Sequence, residues 1–79
     1  MKTKKIFIVK LGWVLIGVEQ SSINGIVTIT DASVIRRWGT ERGLGQLALA
    51  GPTKDTLLDP VGTVEVSEHS ILMRIRCVR

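Results

Sequence analysis

Two apolar runs stand almost back to back near the start of the chain, Ile6 to Val9 and Trp13 to Val18, parted by Lys10-Leu11-Gly12. Short runs rich in β-branched residues read as strands, and Leu11-Gly12 as a hairpin or bulge point between them. Phe7, Val9, Val14, Ile16 and Val18 can line one face, which puts Ile6, Ile8, Trp13 and Leu15 on the other. A chain of 79 residues makes one small domain with room for one core. A single-layer sheet of that size cannot bury both faces inside one chain. A small closed barrel relieves part of the excess, and a subunit interface relieves the rest. The expectation is a homo-oligomer whose interface uses Ile6, Ile8, Trp13 and Leu15.

The remaining pattern is also mostly β. Asn24-Gly25 is a type I′ turn signal, and Ile26 to Thr30 alternates as a half-buried strand does. Asp31-Ala32 breaks or bulges that strand, and Ser33 to Trp38 continues extended. Leu44, Leu47 and Ala48 fall at helical spacing within Gly43 to Gly51, with Thr40 or Glu41 near the start and Gly51-Pro52 as the stop. Thr53 to Pro60 reads as a polar loop, Val61 to Val66 as a strand and Ser67 to Ser70 as a tight turn. In the last strand, Ile71 to Val78, Ile71, Met73, Ile75 and Cys77 share one face, with Arg74 and Arg76 on the other. The fold class is mainly β (α+β): a small, strongly bent antiparallel sheet or SH3-like partial barrel with one short helix, residues 1–79 forming a single domain.

Composition narrows the function classes. The chain is 44% hydrophobic and 23% charged, which argues against disorder. Cys77 is the only cysteine, so no internal disulfide and no multi-thiolate metal site can form. Eleven Lys and Arg against seven Asp and Glu give +4, with Lys2, Lys4 and Lys5 crowding one end and Arg74, Arg76 and Arg79 the other. Such a balance suits phosphate-bearing partners, and equally a mildly basic globule. The lysines ahead of an apolar run resemble a secretory signal, but Lys10 interrupts the run and no small-residue cleavage site follows. Nor is there a run near the ~20 apolar residues of a spanning helix. A mature cytoplasmic protein with no membrane partner is expected.

Catalytic sets are missing from the sequence. His69 is the only histidine and stands between Ser67 and Ser70 in a polar turn, where side chains rarely converge into a dyad. Asp55 and Asp59 suit turn hydrogen bonds better than cation binding. Gly43-Leu44-Gly45-Gln46-Leu47-Ala48 matches G-x-G-x-x-A without the βαβ unit a dinucleotide fold needs. No metal ligand set and no cofactor is expected, and the protein is read as no enzyme.

Binding chemistry concentrates in Arg36-Arg37-Trp38-Gly39-Thr40-Glu41-Arg42-Gly43, just ahead of the helix. Arginine forks match phosphate oxygens at two points, and an indole face accepts a stacked base. Backbone N–H groups at Gly43-Leu44-Gly45 would face an anion at the helix start. The candidate ligand-binding residues are Arg36, Arg37, Trp38, Gly39, Thr40, Arg42, Gly43 and Gly45. The competing reading makes Trp38 core, Arg36 and Arg37 edge-strand solubilisers, and the glycines mere turns.

From about Lys10 to Val66 the chain resembles a widespread family of small phage and prophage proteins of long-unknown function. The elements that carry the resemblance are Gly12-Trp13-Val14-Leu15-Ile16-Gly17, Val27-Thr28-Ile29-Thr30-Asp31-Ala32-Ser33-Val34-Ile35, Arg36-Arg37-Trp38-Gly39 and Leu44-Gly45-Gln46-Leu47-Ala48-Leu49-Ala50-Gly51. A looser echo runs through Val64 to Val66 and Ile71 to Cys77, while the lysine-rich start and arginine-rich end depart from the pattern. The resemblance implies similarity to viral anti-defence sponge proteins, of the anti-CBASS or anti-Thoeris type. These are small oligomers that sequester nucleotide immune messengers, cyclic dinucleotides or oligonucleotides or ADP-ribose derivatives, without cleaving them. Two alternatives stay open: a small barrel binding nucleic acid, and a phage module binding a host protein.

Overall fold

The computed structural model describes residues 4–40 and 42–78. Lys2, Glu41 and Arg79, which figured in the sequence reading, lie outside the described residues. The chain runs β1 (Lys5–Val9), a short 3-10 turn (Lys10–Gly12), β2 (Trp13–Ile23), β3 (Ile26–Arg37), α1 (Gly43–Ala50), β4 (Leu57–Ser67), a second 3-10 turn (Glu68–Ser70) and β5 (Ile71–Arg76). The strands form one five-stranded antiparallel sheet in the order β4-β3-β2-β1-β5. Asn24 and Gly25 both take positive φ, 53° and 77°, between the paired residues Ile23 and Ile26, as a type I′ turn requires. β4 and β5 are the two edges of the sheet, yet only Glu68–Ser70 joins them. Four residue steps span at most roughly 14 Å, so the edges converge at that corner.

Both faces of the sheet are buried within one chain. Ile6, Ile16, Ile35 and Cys77 pack with Leu47 and Ala48 of α1. On the other face Phe7, Val9, Leu15, Val27, Ile29 and Ala32 form a second cluster. No helix residue takes part in that second cluster, so the sheet covers the face with its own strands.

This arrangement corrects the assignment of faces. Ile6 pairs with Ile16 and Ile8 with Val14, while Phe7 pairs with Leu15 and Val9 with Trp13. The expected grouping was therefore out of register by one residue, and such a slip swaps every side chain between faces. Ile6 and Leu15, expected at an interface, are 0% and 5% exposed in the single chain and belong to the core. Ile8 is half-buried, and Trp13 is exposed.

Three irregularities reshape β3, β4 and β5. Asp31 takes φ 50°, and the β2–β3 and β3–β4 registers shift around it, so the break expected at Asp31-Ala32 is a kink inside one long β3. β4 starts at Leu57, not Val61, because Pro60 and Gly62 interrupt the ladder without ending it. An edge strand tolerates proline there, since the missing N–H need not serve a neighbour. In β5, Met73 pairs with Ile8 and Ile71 with Val9, so Leu72 is an extra residue. Ile71 consequently joins Phe7 and Val9, while Ile75 and Cys77 stay with α1, and the expected single face is divided.

The second cluster is roofed by charge at its β5 side. Arg74 lies across from Phe7, its guanidinium 5.9 Å from the ring centroid, and its Nε donates to Glu19 at 3.0 Å. Lys5 Nζ donates to the same carboxylate at 3.1 Å. Burial pushes the Glu19 carboxyl upward, but the hydrogen bonds and charges of Lys5 and Arg74 outweigh it and hold the group below its usual range. Burial raises the Cys77 thiol, against the pull of the Lys4 charge, which keeps it protonated and inert. Among the described residues, no helix is long and apolar enough to cross a membrane.

Candidate functional site

Local sequence forces the chain to turn sharply where β3 gives way to α1. Gly39 takes φ 69° and Gly43 φ 72°, a region in which a side chain is strained. Gly39 also has no room for a Cβ: one built there falls 2.3 Å from backbone atoms of Asp55 and Thr56. Two threonines fasten this approach. Thr53 Oγ1 donates to the Gly39 carbonyl and Thr56 Oγ1 to the Trp38 carbonyl, both at 2.6 Å. The Thr53–Thr56 turn is itself braced, with Thr53 N–H donating to Thr56 Oγ1 at 2.9 Å and Asp55 N–H to Thr53 Oγ1 at 3.2 Å. In the sequence these threonines stand in the polar stretch Thr53 to Pro60. Their Thr-x-x-Thr spacing just after Pro52 is the signal that could have found them, because Ser and Thr hydroxyls build such turns.

The clamp presents Trp38 at the surface. The indole is 44% exposed, so it is not a core residue. A Cβ built on Gly43 would lie 3.4 Å from its Cζ3 atom, which places the ring against the first residue of α1. Thr40 does not cap the helix as expected; its Oγ1 donates to the Gly43 carbonyl at 2.6 Å. Instead the Arg42 N–H donates to Gln46 Oε1 at 3.0 Å, so a side chain from the first turn satisfies the N-cap amide. The N–H groups of Gly43, Leu44 and Gly45 belong to the first turn, where intrahelical partners are lacking. No acidic side chain stands in that turn to offset the positive end of the helix. Gly45 is exposed, with open space where a Cβ would project.

The arginines divide. Arg36 is engaged at both prongs by Asp59, Nε to Oδ2 at 3.0 Å and NH2 to Oδ1 at 3.2 Å. Its fork is thus occupied by a carboxylate from β4. Arg37 and Arg42 are exposed, and neither guanidinium has an ion-pair partner among the described residues. The structure therefore groups Trp38, Gly39, Thr40 and Gly43 in direct contact or through the clamp, with Arg37 and Arg42 one residue from the ring contact.

No family model matches the chain, and neither does any curated protein. The chemistry has to be read from the geometry. Among the described residues, no group of three or more His, Cys, Asp or Glu is placed to hold a metal ion. His69 lies exposed on the turn between β4 and β5. What the Trp38 platform offers is a flat π-face against the start of a helix, with the exposed Arg37 and Arg42 next to Trp38 and Gly43 in the chain.

Proposed function

We propose that the chain captures a small nucleotide of the cyclic-oligonucleotide or ADP-ribose-derived class and holds it uncleaved. The observation that carries this reading is the exposed Trp38 indole resting on Gly43, with the exposed Arg37 and Arg42 next to these two in the chain and without an ion-pair partner among the described residues. A base can stack on the indole, and phosphates can accept from the two forks and the first-turn N–H groups. Arg36 is left out of the ligand set, since releasing it from Asp59 would cost the pair. In the setting that the phage resemblance implies, such capture would blunt a nucleotide immune signal in the host cytoplasm. The sheet, in this reading, is an SH3-like partial barrel, supported by the convergence of its edges, and the working unit is a homo-oligomer.

The test is to incubate the protein with a panel of cyclic oligonucleotides and cyclic ADP-ribose isomers, filter, then heat-denature the retained protein. Depletion from the filtrate followed by release of intact nucleotide supports capture. A hydrolysed product, or no depletion across the panel, overturns it. Binding should depend only shallowly on salt; a steep dependence would mean that many phosphates are neutralised and that the partner is a nucleic acid.

Five variants separate binding from folding. Trp38→Ala should weaken capture by roughly 1–3 kcal/mol, the usual worth of base–aromatic stacking. Arg37→Lys and Arg42→Lys should also weaken it, since lysine lacks the two-point fork, while Arg36→Lys should leave it nearly unchanged. Gly45→Ala should stabilise the fold by about 0.5–1 kcal/mol, because alanine is the better helix former and its methyl meets nothing. The same methyl should obstruct a ligand that approaches the helix start. A Gly45→Ala protein that melts higher and binds less is the expected result, read by thermal denaturation and isothermal titration.

A further inference from the structure

Leu11 is unfavourably placed on two counts. Its side chain is 97% exposed. Its backbone takes φ 69°, a left-handed conformation that disfavours any residue with a Cβ. An apolar side chain in water on a strained backbone gains nothing from its own molecule. The turn that carries it, Lys10–Gly12, follows Val9 and precedes Trp13. Both neighbours line an open groove of about 250 Å³, together with Leu15, Val34, Val61 and Val64. Every side chain of the lining is apolar. The volume falls below the ~300–1,000 Å³ of typical ligand pockets, and no polar group is present to orient a ligand. A nucleotide is a poor occupant, whereas an aliphatic side chain is a good one.

We infer that the groove receives Leu11 of a second copy, in a two-fold dimer where each Lys10–Gly12 turn enters the groove of its partner. A two-fold interface must be self-complementary, so knob and groove have to belong to one patch. They do, since Leu11 stands within two residues of the groove residues Val9 and Trp13. Charge is complementary as well. Lys10 is exposed beside Leu11, without an ion-pair partner among the described residues. Asp59 lies two residues before Val61, its side chain 47% exposed, and a carboxylate paired with Arg36 retains acceptor capacity for a second cation. Burial of Trp13, half-exposed in the single chain, would be completed by the partner. The inference does not rest on nucleotide capture: the groove lies on the sheet face away from α1, while the Trp38 ring lies against α1 itself.

Sedimentation velocity across the micromolar range tests the dimer. The wild-type chain should sediment as a dimer, and Leu11→Asp as a monomer with a dissociation constant raised roughly 100-fold or more, because each dimer loses two buried leucines. Leu11→Gly should also dissociate the dimer without lowering the melting temperature of the monomer, since glycine accepts the backbone conformation. In a Trp38→Phe background, the emission of Trp13 should shift to the blue as concentration rises, and should not do so when Leu11→Asp is added. A wild-type chain that stays monomeric, or Leu11 variants that dimerise as tightly as wild type, would overturn the inference.

Discussion

Gly39→Ala should lower the melting temperature by more than about 10 °C and abolish the proposed nucleotide capture with it. Two costs combine. A methyl at φ 69° pays the left-handed penalty, roughly 1–2 kcal/mol. The same methyl would sit 2.3 Å from the backbone of Asp55 and Thr56, so the loop would have to retreat. Retreat breaks the hydrogen bonds of Thr53 and Thr56 to the Gly39 and Trp38 carbonyls, each worth about 0.5–1.5 kcal/mol. The total is about 3 kcal/mol, and each kcal/mol moves the midpoint of a domain this size by roughly 4–8 °C. Gly25 provides the control, for it shares the positive φ but has open space around its Cβ position. Gly25→Asn should melt near wild type, because asparagine tolerates the left-handed region. Thermal denaturation followed by circular dichroism reads both variants. A Gly39→Ala protein melting within a few degrees of wild type would mean that the clamp is not what holds Trp38 in place.

What could be read in the sequence was what depends on near neighbours. Asn24-Gly25 needs only its own two residues to make a type I′ turn, and it makes one. Asp31-Ala32 was legible as a disruption, and the helix followed from Leu44, Leu47 and Ala48, with the last two buried against the sheet. Parity was not legible. The facing of β1 and β2 depends on how Lys10–Gly12 is counted, and Leu11 at positive φ fixes a pairing that no residue preference announces. The burial of Ile6 and Leu15 follows from that pairing, and with it fell the first argument for their exposure to a second subunit. Leu57 to Pro60 was not legible as strand, because an edge position, which excuses Pro60, is a property of sheet order. The site shows the same division. Residues Arg36 to Gly43 stand out as candidates by their chemistry, but that Arg36 is engaged depends on Asp59, which sheet pairing brings close to it.

Phe7→Ala should cost about 3–5 kcal/mol, the largest effect of any single truncation in the second cluster. Phe7 is fully buried and is the largest side chain so placed. A domain of 79 residues holds only roughly 4–12 kcal/mol in total, so this loss threatens the fold. The reason lies in how the face is filled. Phe7 shares its cluster with Val27, Ile29 and Leu15, and the guanidinium of Arg74 lies over its ring. Removing the ring leaves a void next to Leu15, which lines the groove and pairs with Phe7 across the strands. Phe7→Leu keeps most of the apolar volume and should cost under half as much. Denaturant titration of the two variants gives the stabilities directly. If Phe7→Ala costs under about 1 kcal/mol, below the range for a fully buried aromatic ring, the second face is not packed as described.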